Sequence, residues 1–150
     1  MKYISALASF VVIIFLTGLS FDSLLPANAT LASAPDTEFS AERALVSLRE
    51  IAKAPHYHGT DEHTRVRNFI ISELKKLGLE TAVQEEFVLS NKYQGLIKPK
   101  NIVARLKGSG TGKALVLLSH YDSALVPSFG ASDAGSGVVT ILESLRAYNA

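Results

Sequence analysis

An α/β domain with a mixed sheet, preceded by a hydrophobic helix, is the fold class this sequence predicts. Three observations carry the prediction. An uncharged apolar run lies between Lys2 and Asp22. Two amphipathic helical patterns follow residue 40. After Gly78 the apolar period changes to two, ends in the unbroken run Ala114 to Leu118, and gives way to another helical pattern.

The first element is the run Tyr3 to Phe21, dominated by Ile, Leu, Val, Phe and Ala. Its length suits a helix crossing a bilayer core, which takes roughly 17–25 residues. Lys2 before it and Asp22 after it favour an N-terminus held in the cytoplasm. Residues 1–21 therefore read as a signal anchor. A cleaved signal peptide is the alternative, because Ala27-Asn28-Ala29 forms an A-x-A site just after Pro26. The domain is then expected on the extracytoplasmic side, membrane-anchored in the first case and secreted or periplasmic in the second.

Residues 22–37, rich in Ala, Ser, Thr, Pro and Asp, read as a linker, and residues 38–150 as the folded part. Ser40 is placed to cap a helix with Ala44, Leu45, Leu48, Ile51 and Ala52 on one stripe, and Pro55 stops it. Thr60 or Asp61 caps a second helix with Val66, Phe69, Ile70, Leu74 and Leu77 on one face. Lys75, Lys76 and Gly78 supply its C-terminal signals. Thr81, Val83, Phe87 and Leu89 suggest a strand; residues 91–100 suggest a loop; Asn101 to Leu106 suggest another strand. Gly108 to Gly112 reads as a turn. Ala114 to Leu118 lacks alternation, as a strand buried on both faces does. Val138 to Tyr148 is the last helix.

Composition excludes several functions. Lys and Arg number 15 and Asp and Glu 14, so nothing in the charge balance points to nucleic acid or to an acidic surface as a partner. The chain has no cysteine, which removes disulfides, thiolate ligands and a cysteine nucleophile. A bound metal must then rely on His, Asp and Glu, donors suited to zinc and its neighbours.

Such donors converge in His120-Tyr121-Asp122-Ser123 and Gly130-Ala131-Ser132-Asp133-Ala134-Gly135-Ser136-Gly137. His120 follows the apolar run, where ligands of open α/β sheets bind. Asp122 has the chemistry to accept the second ring N–H of a ligating histidine. Asp133 opens a glycine-rich turn before a helix, and its two oxygens suit it to bridge two cations. Taken singly these pieces are weak, since a His-Asp pair or a Gly-Ser-Gly turn is often only structural.

Together, from Ala114 to Ala147, they resemble the family of co-catalytic zinc peptidases that includes aminopeptidase Y, bacterial leucyl aminopeptidase and glutamate carboxypeptidase. Residues 41–106 fit the family's N-terminal portion more weakly, through two helices around a Pro-x-x-x-Gly-Thr loop and strands ending in Asn101-Ile102-Val103-Ala104. The arrangement looks most like the family's membrane-bound members. The resemblance implies a three-layer sandwich, a peptide substrate and two Zn2+ ions. By it His120 binds one zinc, Asp133 bridges both, and Asp122 orients His120. Ala134 departs from the Asp or Asn of many relatives, at a position that is not a ligand.

The complete family site lowers the pKa of a bound water, whose proton a glutamate takes. The family's Glu-Glu pair, a further Asp and a distant His have no counterpart before Ala150, and Glu143 matches a structural position rather than the base. The chain thus reads as the truncated N-terminal part of the domain. By itself it is expected to lack peptidase activity and to bind zinc weakly or not at all. A single-zinc acyl transferase resembling glutaminyl cyclase shares the fold and stays open. So does a non-catalytic binding ectodomain, against which the presence of both His120 and Asp133 argues. His56 and His58 in the loop, and His63 in the next helix's first turn, read by default as exposed histidines; the resemblance places this loop near the substrate cleft, outside the ligand set. Ser136 lacks the Gly-x-Ser-x-Gly pattern of a nucleophile elbow, and Gly108 to Gly112 lacks the lysine and helix of a phosphate loop.

Overall fold

A computed structural model describes residues 2–25, 28–91 and 94–150. Helix α1 runs from Lys2 to Leu24. Its length and composition are those of a bilayer-crossing helix, and none of its Tyr3–Leu24 stretch is buried against the rest of the chain. Pro26 and Ala27 of the expected cleavage region lie outside the described residues.

Three helices build the core. In α2 (Ala41–Ile51) the Ser40 hydroxyl accepts from the Arg43 N–H, as the cap pattern requires. In α3 (Asp61–Lys76) Thr60 takes the same role towards the His63 N–H. Its other end closes with Leu79 N–H donating to Leu74 O and Gly78 N–H to Lys75 O, the paired bonds of a Schellman ending. Helix α4 spans Ser136–Asn149. Ala44, Ile51, Val66, Ile70, Leu74, Leu79, Val138, Val139 and Leu142 form the core, with Ile51 and Val66 fully buried. Each fully buried aliphatic side chain contributes about 1.5–3 kcal/mol. Leu45, read on the α2 stripe, is 42% exposed, because it lies at the stripe's edge where no neighbour covers it.

The sheets are small. Strand β1 (Glu80–Glu85) pairs antiparallel with β4 (Lys100–Arg105), placing Glu80 opposite Arg105 and Glu85 opposite Lys100. Between them β2 (Val88–Ser90) and β3 (Gly95–Ile97) form a hairpin. The stretch expected as one strand is thus broken at Glu86-Phe87. The expected loop 91–100 contains β3 and starts β4, and its residues 92 and 93 lie outside the described residues.

The largest difference concerns residues 114–118. Leu115, Val116, Leu117 and Leu118 are 86%, 78%, 51% and 91% exposed, and the segment is extended without strand pairing. A central strand needs neighbours for its N–H and C=O groups and layers over both faces. Among the described residues nothing pairs with this segment, so its hydrophobicity alone does not make it a strand.

Residues 30–38 are held to the helices by named bonds. Arg43 Nη1 donates to Ala32 O and Ala34 O, and its Nη2 to Glu38 O. Arg146 donates to Asp36 O and Glu38 O. Both guanidiniums also reach Glu143, which is 5% exposed and accepts from the Ser40 N–H as well.

Candidate metal centre

His120 follows the extended run, and its ring is held from both sides. Nδ1 lies 3.2 Å from the Asp122 carbonyl oxygen and 3.3 Å from its carboxylate Oδ1. Nε2 lies 2.9 Å from Asp133 Oδ1. The structure therefore brings His120, Asp122 and Asp133 together. All three side chains are open to solvent, Asp133 most of all at 84%.

The turn that carries Asp133 depends on two glycines. Gly130 has φ +61°, a left-handed conformation, and a Cβ there would lie 3.0 Å from Ser123 Cβ and 3.2 Å from His56 Cε1. Gly135 donates its N–H to Gly130 O across the turn, and a Cβ on Gly135 would fall 2.8 Å from that oxygen. The turn Ala131–Gly135, kinked and non-helical at Asp133 and Ala134, then leads into α4, and the Asp133–Ala134 peptide is cis. Ser119 Oγ donates to Ala134 O, a second tie between the two loops.

Partial burial by itself lowers the His120 imidazole. Its hydrogen bonds to Asp133 and to the Asp122 carbonyl, with the charges of both carboxylates, outweigh that and hold it above the ordinary 6.5. Both ring nitrogens face oxygen acceptors, and a neutral imidazole has one proton for the two, so one nitrogen lone pair then faces an oxygen. Two electron-rich atoms 2.9 Å apart need a proton or a cation between them. The donors, one imidazole nitrogen and one carboxylate oxygen, are of the types zinc takes. Among the described residues, no group of three or more His, Asp or Glu side chains is disposed to hold an ion.

The other histidines behave differently from the expectation of exposed loop residues. His56 is 1% and His63 7% exposed. His63 stacks on Tyr121 with ring centroids 4.6 Å apart. Burial pushes its imidazole below the ordinary value, against the attraction of Asp122. Loop composition alone did not reveal this, because burial depends on the segment 121–123 folding over them. Ser136 Oγ donates to the Ser132 carbonyl, four residues back. Glu143 lies in the Arg43–Arg146 clasp, away from His120. The contribution of Ser123, which bonds His56 from 67 positions away, had no signal in the sequence.

A vacuolar membrane protease of Candida albicans is 31% identical over 140 residues, covering 89% of this chain and 16% of the relative. A vacuolar membrane protease of Schizosaccharomyces japonicus is 32% identical over 118 residues, covering 71% of this chain and 14% of the relative. The chain thus spans about a sixth of the curated relatives it matches. Among solved structures, a glutaminyl cyclase of Porphyromonas gingivalis superposes with TM-score 0.68 at 27% identity, over 77% of this chain and 41% of that one. A Zn-dependent exopeptidase of Parabacteroides distasonis does so with TM-score 0.63 at 25% identity, over 78% and 43%. The fold is therefore that of the zinc exopeptidases and glutaminyl cyclases, and residues 101–150, His120 and Asp133 among them, match the peptidase family M28.

Proposed function

We propose that this chain contributes to a membrane-anchored zinc metallopeptidase of aminopeptidase type, with His120 and Asp133 as zinc ligands and Asp122 as the residue that orients His120. One observation carries the reading: His120 Nε2 and Asp133 Oδ1 face each other at 2.9 Å, within the segment that matches a peptidase family. Zinc bound there supplies Lewis acidity towards a peptide carbonyl and an acidified water. The chain's own residues do the positioning. Asp122 would hold the ring through Nδ1, by its carbonyl at 3.2 Å and its carboxylate at 3.3 Å, and so keep Nε2 turned towards Asp133 and the ion. Asp133 presents its carboxylate at the mouth of an open turn, with room for further ligands and for substrate. The further ligands and general base of the two-zinc site have no counterpart in residues 1–150.

The likeness to a glutaminyl cyclase favours a second reading, a single-zinc acyl transfer that closes an N-terminal glutaminyl residue with release of ammonia. Both readings are tested on the protein purified from membranes as the cell makes it. Dialysis against a chelator is expected to abolish hydrolysis of an aminoacyl amide, and added Zn2+ to restore it. Ammonia release from a glutaminyl peptide, without aminoacyl amide hydrolysis, decides for the cyclase. Activity that survives full metal removal sinks both.

The anchor reading belongs to the same proposal: α1 crosses the membrane and the domain lies on the extracytoplasmic side. N-terminal sequencing of the membrane-bound protein is expected to begin at or near Met1. A mature chain beginning at Thr30 would instead show cleavage after Ala29.

A further inference from the structure

His56 stands where the two ligand-bearing loops meet, and we infer that His56 and Ser123 are positioning residues that set the gap between His120 and Asp133. Ser123 follows His120 by three residues, and Gly130 precedes Asp133 by three. His56 touches both. Its backbone N–H donates to Ser123 Oγ at 2.8 Å, and the Ser123 N–H donates back to the His56 carbonyl at 3.3 Å. Its ring is fixed by Nδ1–H donating to Ala54 O at 2.9 Å. The ring edge lies against Gly130, with Cε1 and Nε2 at 3.2 and 3.3 Å from where a Cβ would stand.

Nothing in this packing is slack. His56 is 1% and Ser123 2% exposed, and Gly130 is buried. Gly130 in turn accepts from the Gly135 N–H, the bond that closes the turn carrying Asp133. The imidazole of His56 therefore acts as a spacer between one loop, fixed through Ser123, and the other, fixed through Gly130. Close packing transmits a displacement of either wall to the His120–Asp133 gap. His63 stacks on Tyr121, which lies between His120 and Asp122 in sequence, and gives the first loop a second contact.

The role in metal binding rests on the zinc reading above; the geometric role does not. The test therefore has two readouts, made on the 150-residue chain in detergent micelles. The first, without metal, is the nuclear Overhauser effect between His120 Hε1 and Asp133 Hβ, judged against the same effect between side chains of the α2–α4 core. The second is Zn2+ affinity from competition with a chromophoric chelator. Two variants are used. Ser123→Ala removes one hydroxyl, and His56→Phe keeps a ring but loses its Nδ1–H bond.

In both variants the core Overhauser effects are expected to persist, the His120–Asp133 effect to weaken, and zinc affinity to fall roughly ten- to a hundredfold. A His120–Asp133 effect at wild-type intensity in the folded variants overturns the inference. So does an unchanged zinc affinity where the wild type binds measurably. If the wild-type chain binds no zinc while the variants still show the weakened His120–Asp133 effect, the zinc reading falls and the positioning role stands.

Discussion

Asparagine in place of Asp133 is expected, on the proposed zinc-ligand role, to lower the proposed peptidase activity at least about a hundredfold and to change folding free energy by no more than about 0.5 kcal/mol. The two halves of this expectation have different causes. Asp133 is 84% exposed and bonds His120 through a single carboxylate oxygen. Asn keeps that oxygen as an acceptor, so little folding energy is at stake. What it loses is the negative charge and the second carboxylate oxygen, the features a cation needs there. Partners that only orient a ligand already matter ten- to a hundredfold, so a direct ligand sets the lower bound at about the upper figure. Comparing kcat/KM with the urea midpoint of the same preparation checks both halves. Activity within about threefold of wild type would remove Asp133 from the metal site.

Glu143 should show the opposite profile. Glu143→Ala is expected to destabilise the domain by about 3 kcal/mol, the lower end for removing one partner of a buried ion pair. The carboxylate is 5% exposed and accepts from Arg43 Nε, Arg146 Nε and the Ser40 N–H. Its loss strands two guanidiniums and a backbone donor. Arg43 and Arg146 keep some access to water, 19% and 26%, which holds the effect to the lower end. The same two arginines hold residues 32–38, so that segment should loosen together with α2 and α4. Urea unfolding monitored by circular dichroism gives the magnitude, and proteolysis within 28–39 reports the loosening. A loss below about 1 kcal/mol would mean the clasp is only a surface ion pair.

The clasp also sets a pH dependence. Burial by itself raises the Glu143 pKa, but hydrogen bonds from Arg146, the Ser40 N–H and Arg43 outweigh it and hold the carboxyl below the ordinary 4.5. A depressed carboxylate contributes stability that is fully present above the unfolded value and is lost as pH falls through the folded one. Stability should therefore decline on acidification below about pH 4.5. Glu143→Gln, with no charge to lose, should start less stable and show a shallower decline.

The helices were legible because their determinants are local. Ser40 and Thr60 each bond an N–H three residues on, Gly78 closes α3 within its own turn, and the stripes of α2 and α3 repeat at the helical period. The β2–β3 hairpin was hidden because its strands are three residues each, too short to show alternation. The run 114–118 misled for a related reason: a strand is completed by its partners, and hydrophobicity does not supply them.

For the site, the sequence determined which chemistry is available. Without cysteine, any metal donors are limited to histidine and carboxylates, and the glycine-rich turn carries one such carboxylate, Asp133. Tertiary structure alone decided that His120 and Asp133, 13 residues apart, face each other at 2.9 Å. It alone buried His56 and His63, which the sequence left to be read as exposed. The physical reason is common to both. A cap or a stripe depends on neighbours within a few residues, whereas a gap between loops depends on packing between segments as distant as His56 and Ser123.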